Sequence, residues 1–191
     1  VSAKAPNVAK KLGNLKATYK YCDSKGTYIF EKRRYERLKN GEVEKTFRIG
    51  VSDPKSDNQF RLGQPKLAEI PLYNLPALTS FCESADASVR PVFIVEGEKD
   101  VDRLRSLGFV ATCNSGGAGK WEPRYREHVN DRPVMIISDD DEPGRKHALS
   151  VAQSTHDEAR SVQVLYLPDI NEGGDVSDWL GGVGTVEDLI Q

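Results

Sequence analysis

Three short stretches place carboxylates where an apolar run ends: Glu96-Gly97-Glu98-Lys99-Asp100 after "VFIV", Asp139-Asp140-Asp141-Glu142 after "VMIIS", and Asp175-Val176-Ser177-Asp178 after "VLYLP" and a glycine-rich loop. In an extended D-x-D segment the outer two side chains share a face, so Asp139 and Asp141 point together and Asp140 points away. Two such carboxylates converging with Glu96 make an oxygen-only donor set, the kind that suits magnesium or manganese. Acids also favour helix N-termini, so each cluster taken singly reads as a helix cap. Three clusters at successive strand ends read differently. Carboxylates crowded at one edge repel each other, and a bound cation relieves that repulsion.

A second candidate is "CNSGGAGKW", Cys113 to Trp121. A Walker A loop needs G-x-x-x-x-G-K-[ST]. Counting back from Gly119-Lys120, the first glycine falls on Asn114 and the hydroxyl falls on Trp121, so both ends fail. Three glycines beside Lys120 still describe a loop that another backbone or a phosphate approaches closely. Trp121 reads equally as packing under the following helix. His128, His147 and His156 lack metal-ligand spacing and read as surface or packing residues.

The elements that must position these groups change character along the chain. Residues 1–13 are a polar lead-in. From Ala17, aromatic and polar residues alternate about an Asp23-Ser24-Lys25-Gly26 turn, and a second hairpin turns at Asn40-Gly41. With "KTFRIGVS" and "NQFRLG" this half predicts a small antiparallel β-rich lobe. "EIPLYNLPAL" reads as a proline-punctuated connector, followed by a short helix or loop over 80–88. Beyond it apolar runs alternate with amphipathic segments about four times, which predicts an α/β domain with a parallel sheet and flanking helices. The expected domains are 1–88, a basic lobe for nucleic acid, and 89–191. In open parallel sheets, function collects beyond the carboxyl ends of the strands, where the three acidic clusters lie.

The bulk numbers agree with a soluble, globular chain. Its 191 residues are 38% apolar and 29% charged, with no apolar run long enough to span a membrane and no signal peptide. The first residue is Val1, which reads as a fragment or a processed chain. Cys22, Cys82 and Cys113 are odd in number and isolated, against both zinc and a disulfide framework, and read as cytoplasmic thiols. Residues 1–90 hold 17 Lys and Arg against 10 Asp and Glu, and the remainder holds 10 against 19. A basic half beside an acidic half fits a polyanion held by one and a metal gathered by the other, or ordinary solvated surface.

The order "VEGEKD", "SDDDEPGR", "GGDVSDWL" resembles the Toprim domain shared by bacterial-type primases, type IA and II topoisomerases and some nucleases. Glu96 matches the Toprim glutamate, and Asp139 and Asp141 match its D-x-D. Within that superfamily, the stretch from Val95 to Trp121 and "DEPGRKHA" look most like phage, plasmid and integrated-element primases or primase-helicases. The resemblance covers about residues 92–181. The hairpin half is similar to the smaller lobe preceding Toprim in such proteins. The zinc-binding module that often lies upstream has no counterpart cysteines here.

The resemblance implies a Rossmann-like Toprim sheet and metal-assisted phosphoryl transfer that makes short RNA primers on single-stranded DNA from ribonucleoside triphosphates, with a replicative helicase as a further partner and no membrane. Asp139, Asp141 and Glu96 would hold Mg2+ or Mn2+, with Asp175 completing the ligand set. Asp100 and Asp178 would stand behind them. Lys99, Lys120 and Arg145 would contact phosphates, Arg145 at a helix N-terminus. The hairpins, with Lys32, Arg33, Arg34, Arg37, Arg48 and Arg61, would track the template. Tyr21, Tyr28, Phe30 and Tyr35 are sheet core by their spacing, with base stacking as the alternative. A Toprim nuclease and a non-catalytic DNA-binding module are the rival readings. Topoisomerase lacks a tyrosine nucleophile domain here, and a response-regulator receiver lacks the D-x-D and the basic hairpins.

Overall fold

Alternating aromatic residues build the first sheet, and continuous apolar runs build the second. The computed structural model describes residues 12–55, 59–63 and 65–189, so most of the polar lead-in lies outside the described residues. The chain divides into two compact units, Val1–Tyr21 with Tyr28–Glu69, and Cys22–Thr27 with Ile70–Gln191.

The first unit is an antiparallel sheet of β1 (Asn14–Cys22), β2 (Tyr28–Lys39), β3 (Glu42–Ser52) and β4 (Phe60–Leu62), in that order. Lys39 pairs with Glu42, which leaves Asn40-Gly41 as a two-residue turn with φ of 54° and 86°. Positive φ at both turn positions is what a tight hairpin needs and what Asn-Gly supplies. Tyr21 and Phe30 are fully buried and stack with ring centroids 4.3 Å apart, and Tyr19 and Phe60 are buried too. Tyr21 and Phe30 are thus core residues of the sheet.

The second unit carries a parallel sheet ordered β6-β5-β7-β8, from β5 (Val92–Ile94), β6 (Val110–Thr112), β7 (Pro133–Ser138) and β8 (Ser161–Tyr166). Among the described residues four α-helices accompany it: α1 (Leu75–Cys82), α2 (Glu98–Ser106), α3 (Glu142–Thr155) and α4 (Val176–Trp179). Residues 123–129 form a short 3-10 helix. Val92 and Ile94 join Val134, Ile136, Ala148 and Val151 in one core, while Phe93 packs against Phe109 with centroids 4.9 Å apart. Strands covered on both faces explain why these runs are apolar throughout rather than alternating.

The expected boundary at residue 88 lies inside this second unit. Leu72, Leu75 and Leu78 belong to the same core as β5 and β7. The Tyr73 N–H donates to Cys113 O at 2.9 Å and Thr112 Oγ1 donates to Tyr73 O at 2.7 Å, tying the proline-punctuated segment to the β6 edge. Among the described residues no helix is long and apolar enough to cross a membrane.

Candidate functional site

The strand order sets the site. From β5 the chain crosses to β6 on one side, and β7 then returns to the other side of β5, so β5 and β7 are adjacent strands whose connections diverge. A crevice opens outside their carboxyl ends in such a sheet. Ile94 pairs with Ile136, so Glu96 leaves β5 beside the end of β7, where Asp139 begins the acidic run. Backbone bonds from Asp140 N to Gly174 O, 3.0 Å, and from Gly173 N to Asp140 O, 2.9 Å, draw in the loop that carries Asp175. Residues about 80 positions apart in the chain thus meet at one edge.

The electrostatics record that crowding. Burial, then Glu96, Asp100, Asp175 and Asp141, push the Asp139 carboxyl up to about 8. Burial raises Glu96 as well; the Ala118 N–H opposes this, and Asp141 and Asp175 add to it. Burial and Asp175 push Asp100 up to about 7, against a hydrogen bond from Ser177 and the charge of Lys99. Asp175 goes the other way. Despite burial it is held below the usual carboxylate range by hydrogen bonds from Lys99 and the Asp178 N–H.

The helix starts decide how each acid is used. Asp141 Oδ1 accepts from Gly144 N at 2.6 Å and caps α3, with Pro143 in the first turn. Asp175 Oδ1 accepts from Asp178 N at 3.0 Å and caps α4 in a reciprocal box. Capping and the clustering of acids therefore coexist. Asp100 is 4% exposed, and its Oδ1 accepts from Ser177 Oγ at 2.6 Å. Ser177 escaped the sequence reading because nothing in its local pattern points to a residue 77 positions away.

The basic candidates separate. Lys99 hydrogen-bonds Asp175 and lies 3.7 Å from Asp100 Oδ1 and 3.9 Å from Asp178 Oδ1. Arg145 pairs with the exposed Asp140 at 2.9 Å. Lys120 is exposed at the end of the glycine loop, with no ion-pair partner among the described residues. In the first unit, Arg33 bonds Glu31 at 2.7 Å and lies over the Phe60 ring, Arg34 bonds Glu36, and Arg37 bonds Glu44. Lys32 is buried with its ammonium over Phe47. Arg48 and Arg61 are exposed.

The glycine loop lies against Glu96. Gly116, Gly117 and Gly119 all have positive φ, and a β-carbon on Gly117 would come 3.4 Å from Glu96 Oε1. Asn114, fully buried, donates to Gly117 O at 2.8 Å. His147 takes the packing alternative of its expected role: it is buried on α3, and its Nδ1 accepts from Gly119 N at 3.2 Å. Trp121 packs edge-on against Tyr125 and donates to Ser154 Oγ at 3.1 Å, the packing reading of that residue.

For a divalent cation the donor chemistry fits, since the uncompensated groups are carboxylates only and their charge lacks a local counterweight. Among the described residues, no three His, Cys, Asp or Glu side chains converge into a ready coordination shell. Cavities of about 320 and 440 Å3 flank Trp179 and the 169–174 loop rather than Glu96 and Asp139, so shape and charge point to neighbouring places. Crowding the acids at the ends of β5 and β7 costs energy that an open surface groove does not.

The chain is 36% identical over 115 residues to the gene 57 protein of Mycobacterium phage D29, spanning 57% of this chain and 70% of that protein. It belongs to the gene 57 protein family. No protein-family model matches it. The fold of this gene 57 family member is that of a DnaG-type primase catalytic core. It superposes on a DnaG catalytic core with a TM-score of 0.61 at 19% identity, over 91% of this chain and 50% of that chain. A DnaG primase catalytic domain bound to single-stranded DNA matches with a TM-score of 0.58 at 15% identity, over the same shares. The gene 57 family member therefore spans about half the length of those two solved chains.

Proposed function

We propose that this chain is the catalytic core of a primase, extending short RNA on single-stranded DNA through a Toprim-type acidic centre of the phage and mobile-element kind. The observation that supports this best is the meeting of Glu96 with the Asp139-Asp141 pair at the diverging ends of β5 and β7, in a fold shared with primase cores. Asp139, Asp141 and Glu96 are the residues that would hold Mg2+ or Mn2+, and the ion would supply positive charge for a triphosphate and its reacting oxygens.

This chain's own residues do the rest. Asp100 and Ser177 fix the start of α4 against the first acidic motif. Asn114 and His147 hold the glycine loop beside Glu96, where backbone can approach a phosphate closely and Lys120 supplies a cation. Arg145, in the first turn of α3, adds a second positive charge at a helix N-terminus. Of the six basic candidates on the first unit, Arg48 and Arg61 are the exposed ones, Arg61 with Asp53 3.8 Å away, while Lys32 is buried and Arg33, Arg34 and Arg37 are engaged by glutamates. A solved primase domain of the same fold binds single-stranded DNA, in keeping with this partner.

The test is a denaturing gel. Labelled single-stranded DNA and labelled ribonucleotides are incubated separately with the protein and Mg2+ or Mn2+, beside Asp139→Asn. Short labelled RNA that is lost in the variant is the expected result. Shortened DNA in the absence of nucleotides would point to a nuclease, and neither product would point to a binding module.

A further inference from the structure

The register of β2 against β3 sorts the hairpin sheet into two unlike faces. Residues directly opposite each other in an antiparallel pair share a face, and neighbours along a strand alternate. Arg33 pairs with Arg48, Arg37 with Glu44 and Lys39 with Glu42, so these lie on one face together with Glu31. Four cations meet three acids there, and three of the cations are engaged, Arg33 by Glu31 and both Arg37 and Lys39 by Glu44. The opposite face carries Lys32, Arg34 and Lys45 against one acid, Glu36. Arg61 joins that face from β4, where it pairs with Val51.

The more basic face also exposes apolar side chains. Leu38 is 75% exposed and sits directly opposite Val43, which is 55% exposed, and Phe47, further along β3, is 42% exposed. The Lys32 ammonium stands over the Phe47 ring, 4.6 Å from its centroid, which holds the ring in place while much of it stays in solvent. Lys45, the next residue along this face of β3, is exposed and has no ion-pair partner among the described residues. Single exposed apolar residues are ordinary, whereas an anchored aromatic ring within an apolar patch bordered by cations marks a binding surface.

We infer that this face binds single-stranded DNA, with a base stacked on the exposed side of Phe47 and the phosphates running past Lys45 and Arg61. The inference rests on the template-binding reading above and gives it a face and an aromatic contact. Positive charge alone draws any polyanion. A ring beside it selects a strand with unpaired bases, because bases within a duplex have no free face to stack. Arg34 is tied to Glu36 and so braces the sheet. Arg48 projects from the other face, but at the outer edge of the sheet, since among the described residues β4 pairs with β3 only over 50–52. It adds a phosphate contact along that edge.

The experiment uses the full chain and labelled oligo(dT). Phe47→Trp places a fluorescent ring at the stacking position, read as the difference from wild type, which already holds Trp121 and Trp179. Its emission should be quenched by oligo(dT) and not by an oligo(dT)·oligo(dA) duplex. By anisotropy, Phe47→Ala and Phe47→Leu are expected to weaken oligo(dT) binding about tenfold with an unchanged salt slope, because stacking releases no counterions. Lys45→Gln should instead make the slope shallower by about 0.7, for one lost phosphate contact. Phe47→Leu keeps the apolar bulk without the ring, so it carries the test if Phe47→Ala fails to fold. Unquenched Phe47→Trp emission, or wild-type affinity in the Phe47→Ala and Phe47→Leu chains, would overturn the inference and leave the template reading intact as long as wild type binds oligo(dT). Self-association of wild type that Phe47→Ala abolishes without changing DNA binding would also overturn it, by making the patch a contact between copies. No oligo(dT) binding by wild type would remove both readings.

Discussion

Gly144 and Asp139 are in contact across the first turn of α3. A β-carbon on Gly144 would lie 2.8 Å from the Asp139 carbonyl oxygen, 3.0 Å from Asp139 Cβ and 3.0 Å from Asp141 Oδ1. The glycine of "DEPGR" is thus required by the D-x-D beside it, not by its own backbone dihedrals. Gly144→Ala is expected to cost about 1–3 kcal/mol through overpacking against backbone. Urea unfolding reads that cost, and weaker Mn2+ binding should accompany it, because Asp139 and Asp141 must both shift.

Asp139 should destabilise the metal-free protein at neutral pH. Its carboxyl is raised from 3.8 to about 8 in the folded state, so its stabilising contribution is complete below about pH 4 and is lost as pH rises toward 8. Asp139→Asn is expected to remove that part of the slope and to melt higher than wild type at pH 7 without metal. Paired thermal melts from pH 4 to 8 measure the difference, and a variant curve parallel to wild type would contradict the burial and crowding described.

His147 gives the opposite sign. Burial holds its imidazole below the ordinary value of 6.5, so its contribution is present above that value and lost as pH falls through the depressed one. His147→Leu leaves the Gly119 N–H without its acceptor, at an expected cost of about 1–3 kcal/mol at pH 8. The cost should shrink on acidification, when the wild-type imidazole must itself give up that hydrogen bond. Denaturant titrations of both proteins at pH 8 and pH 5 check this.

The basic residues of the hairpin sheet should divide by function. Arg33 is held by Glu31 and by the face of Phe60, so Arg33→Ala is expected to lower stability by about 1–2 kcal/mol with little specific effect on DNA. Arg48 is exposed, and Arg48→Ala should leave folding unchanged and lower the salt slope of single-stranded DNA binding by about 0.7 per lost phosphate contact. Fluorescence anisotropy across a salt series separates the two. Equal losses in both variants would show that ion pairing within the sheet does not decide which arginines are available.

Sequence alone determined the two sheets, their turns and the acids at the strand ends, because these depend on short-range period and on glycine, asparagine and proline chemistry. The alternation around Tyr21 and Phe30, the Asn40-Gly41 turn and the apolar runs of β5 and β7 are each contained within a dozen residues. Tertiary structure alone decided which distant groups meet. The order β6-β5-β7-β8 makes β5 and β7 neighbours, and from that follow the bond from Ser177 to Asp100, the sharing of Lys99 among three acids and the use of His147 as a support for the glycine loop. Side-chain period reports which face a residue occupies, whereas a partner some 30 or 77 positions away is fixed by how strands are ordered, and strand order leaves no local trace in the chain.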